Sequence, residues 1–465
     1  MDQDMGMDLA DDRRLAGNGR RSFLKVGAGA VAAMPFLGFA KGSASDRVRI
    51  GMIGCGNRSL ALMEQFLRVP EVDLVALADP DTAQIDALKR HLAKEGIKLG
   101  PVAEFRDYRI MLERNDIDAV LIASPNHWHA MQAVDAMAAG KHAYVEKPVS
   151  HSIWESARLL AAEKRYGKVV AAGLQNRSDP GIKEAFEYLR TGALGKIQHI
   201  HVCGFRGRNP IGKRHTPLAP PATCDYNLWL GPAADLPILR DQMHYDWHWD
   251  WNTGNGEMGN QTPHELDLVQ WLLGDAELPK AVRSIGGRFA WNDAGITPNL
   301  HVACYEQAGV PVTVEVNNLQ ISRTSKAGPA RSGIRVGIIV RCEGGELRGG
   351  RGGMFAVGED GKTRLKKFRG DAGAGHMANF IDAVRSESSG ALAAPLKTGV
   401  DSAVVSHLAN LSHCNGNAAT HEEAARVVAD KKDAGMVLEA NRRQLAEWGM
   451  ENPNYQLGQE LVFDP

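Results

Sequence analysis

Between residues 48 and 172, short apolar runs alternate with helical patterns. Residues 48–53 form a strand-length apolar run that stops at Gly54-Cys55-Gly56-Asn57-Arg58-Ser59. Behind it, Leu60, Met63 and Leu67 recur at helical spacing and predict one buried face. Further strands are predicted at 72–78, 118–123, 142–146 and 169–172, and helices at 107–113, 130–139 and 152–166. A run such as Asp118-Ala119-Val120-Leu121-Ile122-Ala123, apolar almost throughout, suits a parallel strand covered on both faces. Past Gly173 the pattern changes. Helical stripes become sparse, and short alternating strands are expected at 300–305, 312–316 and 335–341, with Gly344-Gly345 and Gly349-Gly350 as turns. The fold class read from this is α/β, a parallel sheet followed by an antiparallel sheet with one face covered. The other face of that second sheet is the expected contact between copies of the chain.

The chain has 465 residues, 44% hydrophobic and 23% charged, with formal net charge -1. That leaves room for two domains and argues against a nucleic-acid binder. Six scattered cysteines form no CxxC pair and no metal-ligand spacing, so they read as free thiols. The first 45 residues read as an export signal. Gly19-Arg20-Arg21-Ser22-Phe23-Leu24-Lys25 resembles the twin-arginine motif, with Gly19 where Ser or Thr is commoner. The apolar stretch 26–40 that follows is too short to span a bilayer comfortably, and small residues at 40–44 offer a cleavage site. The implied partner is the twin-arginine export machinery, and the implied address is the periplasm or exterior.

The glycine-rich turn after the first strand is a dinucleotide fingerprint with Ser59 in the third small position. Gly54 permits the tight turn, and Gly56 lets the backbone approach a pyrophosphate at a helix N-terminus. Asp79 ends the second strand about 25 residues on, where a carboxylate accepts ribose hydroxyls and repels a 2′-phosphate. No Arg directly follows it, which favours NAD over NADP. Ligands in such sheets sit outside the carboxyl ends of the strands. The cofactor-binding candidates are therefore Gly54, Gly56, Asn57, Arg58, Asp79, Ser124, Asn126, His129, Glu146, Lys147 and Asn176.

Residues 204–250 are poor in regular pattern but rich in rings and cations, which argues against disorder. Aromatic rings stack on the apolar faces of pyranoses while Arg and His bind hydroxyls, so Arg206, Tyr245, Trp247 and His248 are the substrate candidates. The alternative for this segment is a packing strap or an interface arm. No pair of its histidines sits at a helical i, i+4 ligand spacing with an acidic third ligand, so no metal is expected. Downstream, Thr262 is a good N-cap and Pro263 fits the first helical position. Leu268, Trp271 and Leu272 bury one face, and Gly274 ends the helix. His264 then lies in the first turn, where the positive helix end disfavours imidazolium and leaves a neutral ring able to take a proton.

Asp118-Ala119-Val120, Pro125-Asn126-His127, Ala139-Gly140-Lys141-His142 and Glu146-Lys147-Pro148 together resemble the Gfo/Idh/MocA oxidoreductase family. The resemblance is strongest over 48–148 and 247–274. It implies a Rossmann domain at 46–172 and an α/β domain with an open, mostly antiparallel sheet at 173–465, behind the signal at 1–45. It also implies a homo-oligomer, a dimer or tetramer, and a carbohydrate-like substrate. Lys147 matches the family's lysine that hydrogen-bonds the reacting oxygen, and His264 its proton acceptor. The family's Asp four residues before that histidine is Asn260 here, and Asp250 or Glu257 are the carboxylates available to substitute. The implied activity is NAD(P)-dependent hydride transfer at a carbinol carbon of a sugar, polyol or glycoside. The alternative is a redox-neutral NAD-dependent glycosidase acting through transient C3 oxidation, and a non-enzymatic reading is a sugar sensor keeping NAD as a structural ligand. Because nicotinamide dinucleotides are scarce outside the cytoplasm, export implies that NAD is tightly bound and regenerated in place.

Overall fold

The computed structural model describes residues 47–463, so the expected export signal lies outside the described residues. The first half alternates strand and helix. Its elements are β1 Val48–Ile53, α1 Asn57–Phe66, β2 Val72–Ala78, α2 Thr82–Lys94, β3 Ala103–Phe105 and α3 Tyr108–Leu112. They continue with β4 Ala119–Ile122, α4 Asn126–Ala138, β5 His142–Val145, α5 Ile153–Tyr166 and β6 Val170–Ala172. The strands pair in parallel in the order β3-β2-β1-β4-β5-β6. Strand order reverses between β1 and β4, and that switch point opens a crevice at the strands' carboxyl ends.

Two features depart from the sequence pattern. The predicted set omits α2 and β3, although Asp81 caps α2 by accepting from the Ala83 N–H at 3.0 Å and Ile85, Leu88 and Leu92 bury its inner face. Helix α4 begins at Asn126, four residues before the predicted start at 130, so Asn126 to His129 form a first helical turn rather than a loop. Pro125 in extended conformation stands at its N-cap.

The second half holds α6 Pro180–Arg190, β7 Ile197–Gly204, α7 Tyr226–Leu230, α8 Gly256–Asn260 and α9 Pro263–Leu272. Next come β8 Ala281–Gly287, β9 Leu300–Gln307, β10 Val310–Asn317, β11 Val336–Cys342, β12 Gly345–Gly350, β13 Gly353–Val357 and β14 Arg364–Arg369. The chain closes with α10 His376–Arg385, α11 Leu396–Cys414, β15 Asn417–Ala419, α12 His421–Val427, α13 Lys432–Glu447, β16 Tyr455–Leu457 and β17 Leu461–Val462. The sheet order is β14-β13-β12-β11-β7-β10-β9-β8-β16-β15, with β17 also on β8. It is mixed but mostly antiparallel. The parallel pair is β7–β10, which brackets the long excursion between them.

Helices are not sparse here. Helix α11 is buried nearly all round, between α9, α5, β8 and β6, and its Thr, Ser, Asn and His positions are buried along with its apolar ones, so polarity does not mark a solvent face. Gly349-Gly350 is not a turn either but the end of β12. Gly349 has φ +140°, and a Cβ there would stand 2.5 Å from the Gly353 carbonyl oxygen, so the strand passes only as glycine. Late in the chain α10 returns to the first sheet, where Met377, Phe380 and Ile381 join the core of β1 and α1. Tyr144 of β5 packs edge-on against both Phe66 and Phe380.

Candidate active site

One cavity of about 730 Å³ opens along the carboxyl ends of β1, β2, β4 and β5 and faces α8 and the 205–250 segment. Gly54 sits at its floor with φ +83°, and an added Cβ would meet the Ser124 backbone nitrogen at 2.6 Å. Above Gly56 the first neighbour of an added Cβ is Gln84 Oε1 at 3.9 Å, so space is left open over the N-terminus of α1. No side chain caps that helix. Free backbone N–H groups under open space fit a pyrophosphate. Asp79 lines the same cavity. Its Oδ2 accepts from the Cys55 N–H at 2.7 Å and its Oδ1 from the Asp81 N–H at 2.8 Å. Burial raises its pKa to about 6 against those two bonds. Each oxygen keeps a lone pair for a ribose hydroxyl. The residues present therefore fit a dinucleotide.

Arg58, Ser124, Asn126, His129 and Glu146 also line the cavity, each already engaged. Arg58 gives Nε and Nη2 to Glu146 Oε1 at 2.8 and 2.5 Å. Burial would raise the Glu146 carboxyl, but the guanidinium overrides it and holds it below the usual range. His129 is pinned between the Pro148 and Ser124 carbonyls at 2.6 and 2.7 Å, which locks the β4 and β5 strand ends together. Ser124 donates to Gln132, and Asn126 donates to Asn255 just before α8. Asn176 is buried one turn past β6 and is not on the cavity wall. Its neighbour Gln175 fills the place behind Glu146: its carboxamide oxygen accepts from Arg58 Nη2 at 2.9 Å and Tyr144 Oη at 2.7 Å.

Lys147 leaves β5 and enters the cavity. Its Nζ donates to the Asn260 carbonyl oxygen at 2.6 Å and lies 3.3 Å from Asn260 Oδ1. Burial lowers the ammonium to about 8, opposed chiefly by Glu146. The carboxylate behind Asn260 is Glu257, 3.5 Å from the Asn260 Nδ2 and fully buried. Arg208 grips Glu257 with Nε at 2.9 Å and Nη2 at 3.0 Å, and donates to Tyr245 Oη at 2.5 Å. A hydrogen-bonded chain thus joins Lys147 to Tyr245, a non-glycine residue at φ +69°. Asp250 is not in that chain; it pairs with Arg240 at 3.8 Å.

His264 stands in the first turn of α9, as the sequence predicts, but it is not among the residues lining the cavity. Its Nδ1 is buried without a hydrogen-bond partner. The ring is held neutral, with burial as the main cause and the Lys147 charge second. Thr262 occupies the cap position without capping, because its hydroxyl donates back to the Met258 carbonyl as α8 runs into α9. Arg206, Tyr245, Trp247 and His248 all reach the cavity. His248 stacks on Trp247 with ring centroids 3.6 Å apart, and its Nδ1 bonds to the Tyr245 carbonyl. Burial drives its pKa to about 3, with the Lys147 charge also lowering it.

The same segment is also a strap. The Asp225 N–H donates to the Pro80 carbonyl at 2.9 Å, and His244 Nε2 meets Asp81 Oδ2 at 2.9 Å. Trp229, Leu230, Ile238 and Met243 form a small apolar cluster of their own. Residues 218–250 therefore lie across the carboxyl end of β2. No local signal in the sequence announces the Arg208–Glu257 pair or the His244–Asp81 contact.

Residues 48–174 match the Gfo/Idh/MocA family description "Oxidoreductase family, NAD-binding Rossmann fold", and residues 188–316 match its "C-terminal alpha/beta domain". Among curated proteins, alpha-N-acetylgalactosaminidase of Shewanella oneidensis is 34% identical over 156 residues, 33% of this chain and 34% of that protein. Glycosyl hydrolase family 109 protein 1 of Shewanella sp. strain ANA-3 is 34% identical over 158 residues, with the same shares. The match spans about a third of these relatives' length. Among solved structures, levoglucosan dehydrogenase with NADH and levoglucosan aligns with TM-score 0.58 at 17% identity, over 78% of this chain and 96% of that one. The WlbA dehydrogenase of Bordetella pertussis, with NADH and UDP-GlcNAcA, gives 0.56 at 19%, over 78% and 95%. At those identities the likeness is one of fold.

Proposed function

The chain belongs to the Gfo/Idh/MocA oxidoreductase family, and from that premise we propose that it transfers hydride between NAD and a carbinol carbon of a sugar, polyol or glycoside. The observation that carries this reading is the Lys147 ammonium in the same cavity as the glycine turn and Asp79. A bound nicotinamide supplies the hydride acceptor or donor. Lys147 stabilises the negative charge that develops on the substrate oxygen, in a site where burial strengthens that interaction. Asn260 fixes the direction of the lysine, and Glu257 supplies the carboxylate that Asn260 itself lacks. His248, which lines the cavity, accepts the hydroxyl proton in this reading. His264, neutral and with an unpartnered Nδ1 but off the cavity wall, is the competing acceptor. Single alanine substitutions separate the two, since loss of the true acceptor costs about 10²–10⁴-fold in kcat.

A step that needs the ammonium should slow as pH rises through about 8, where Lys147 loses its proton. The kcat/KM profile checks this; a rate constant from pH 7 to about 10 would contradict it. Asp79 favours NAD over NADP. The strap across β2 supports a slowly released cofactor, consistent with a chain exported after loading. His244→Ala should therefore speed loss of nucleotide on dialysis, measured by absorbance of the retained protein.

The partial match to alpha-N-acetylgalactosaminidase favours a second reading, glycoside cleavage with transient C3 oxidation. Release of free sugar from a nitrophenyl glycoside without net cofactor reduction would establish it.

A further inference from the structure

We propose that the substrate carries an anionic group, a carboxylate or a phosphate, seated on Arg206; this rests on the reading of the cavity as a sugar site. Arg206 lies two residues past the end of β7. Phe205 turns into a separate apolar cluster with Cys203, Ile334 and Ile339, which leaves Arg206 facing the cavity. Its Nε is fixed by Gln261 Oε1 at 2.8 Å. No carboxylate lies within ion-pair distance of it among the described residues.

The other cations on the wall are accounted for differently. Arg58 is paired with Glu146, Arg109 with Asp107 and Arg208 with Glu257. Arg106 follows β3, whose Phe105 carbonyl accepts from the Asp79 N–H, and so belongs to the nucleotide end. Arg206 and Lys147 are what remains at the substrate end. The carboxyl behind Arg206 is Glu265, which takes the Gln261 Nε2 at 3.1 and 3.2 Å. Burial raises Glu265 to about 8, and both of its oxygens face Gln261 rather than the guanidinium. Gln261 thus holds Arg206 by one edge and leaves its Nη groups without an anion. Two parallel N–H donors on a fixed plane match a carboxylate or a phosphate. Arg206 is exposed where the cavity opens, and an anionic ligand that covers it pairs the charge it strips of water.

The test uses the holoprotein with matched series: D-glucose, D-glucuronate and D-glucose 6-phosphate, and the galactose equivalents. Binding is read by tryptophan fluorescence, since Trp128, Trp229 and Trp247 line the cavity. Cofactor reduction is read separately at about 340 nm. At least one charged sugar should bind about tenfold or more tighter than its neutral parent, and the uronate and phosphate arms identify which anion. That preference should shrink as salt rises. Arg206→Gln should bring charged and neutral sugars to within about threefold, while Arg206→Lys keeps part of the difference. Equal or tighter binding of the neutral sugars, an unchanged preference in Arg206→Gln, or no binding in either series would overturn the proposal. A charge preference without any reduction would count against the hydride reading alone. Reduction by neutral sugars with no charge preference would count against the anion site alone.

Discussion

Lys147→Ala is expected to keep the fold and the bound nucleotide and to lose turnover by about 10²–10⁴-fold. The lysine stands at the exit of β5, and its ammonium is held by the Asn260 carbonyl rather than by a carboxylate. Its charge is therefore not spent on an ion pair. Truncation removes no core packing, because β5 is anchored by Tyr144 and by the hydrogen bonds to β4 and β6. The glycine turn and Asp79, which fit the nucleotide, lie on other strands. The measurement is single-turnover reduction with a reactive sugar alongside quantitation of retained nucleotide. Unchanged turnover would remove Lys147 from the chemistry. Lost nucleotide together with lost turnover would make it a cofactor-binding residue instead.

Arg177→Ala should cost about 3–5 kcal/mol of stability, because it strands a carboxylate in the core. Arg177 follows β6, and its side chain is 6% exposed; Asp267 of α9 is 0% exposed, with Nε to Oδ1 at 2.8 Å. The same guanidinium reaches Asp275 at 2.5 Å. This clamp ties α9, and through it α8 and Asn260, to the first sheet. Burial pushes the Asp267 carboxyl up to about 6 even with Arg177 in place, and it should rise further without it. A folded-state pKa raised above the unfolded value means that folding takes up a proton. The variant should therefore lose stability as pH rises from that of an ordinary carboxylate towards the new pKa. Chemical denaturation at about pH 5 and pH 8 checks this, with the larger deficit at pH 8. A uniform small loss at both would show that the clamp is not a buried charge pair in solution.

The parallel sheet was legible because its signals are local. Strands β1 and β2 coincide with the predicted runs, and β4 to β6 fall within about a residue of theirs. Strands covered on both faces read as continuous apolar runs, and each strand exit carries its own turn chemistry. Helix α11 was not legible, since its Thr, Ser, His and Asn positions interleave with apolar ones and are buried with them. Nor was β12, where glycines that usually mark turns instead let neighbouring strands approach.

The sequence by itself determined the dinucleotide turn, Asp79, the placing of Lys147 at a strand exit and of His264 in a helix's first turn. Each depends on a few contiguous residues whose backbone preferences and spacing are set locally. Only the tertiary structure decided that His264 stands behind the cavity wall while His248 lies on it, that Glu257 backs Asn260, and that Gln261 leaves Arg206 without an anion. Arg208 and Glu257 are 49 residues apart, and Arg206 and Gln261 are 55 apart. Such partners meet only once the register of the second sheet and the closure of the long strap are fixed, and those depend on packing summed over the whole chain rather than on any one segment.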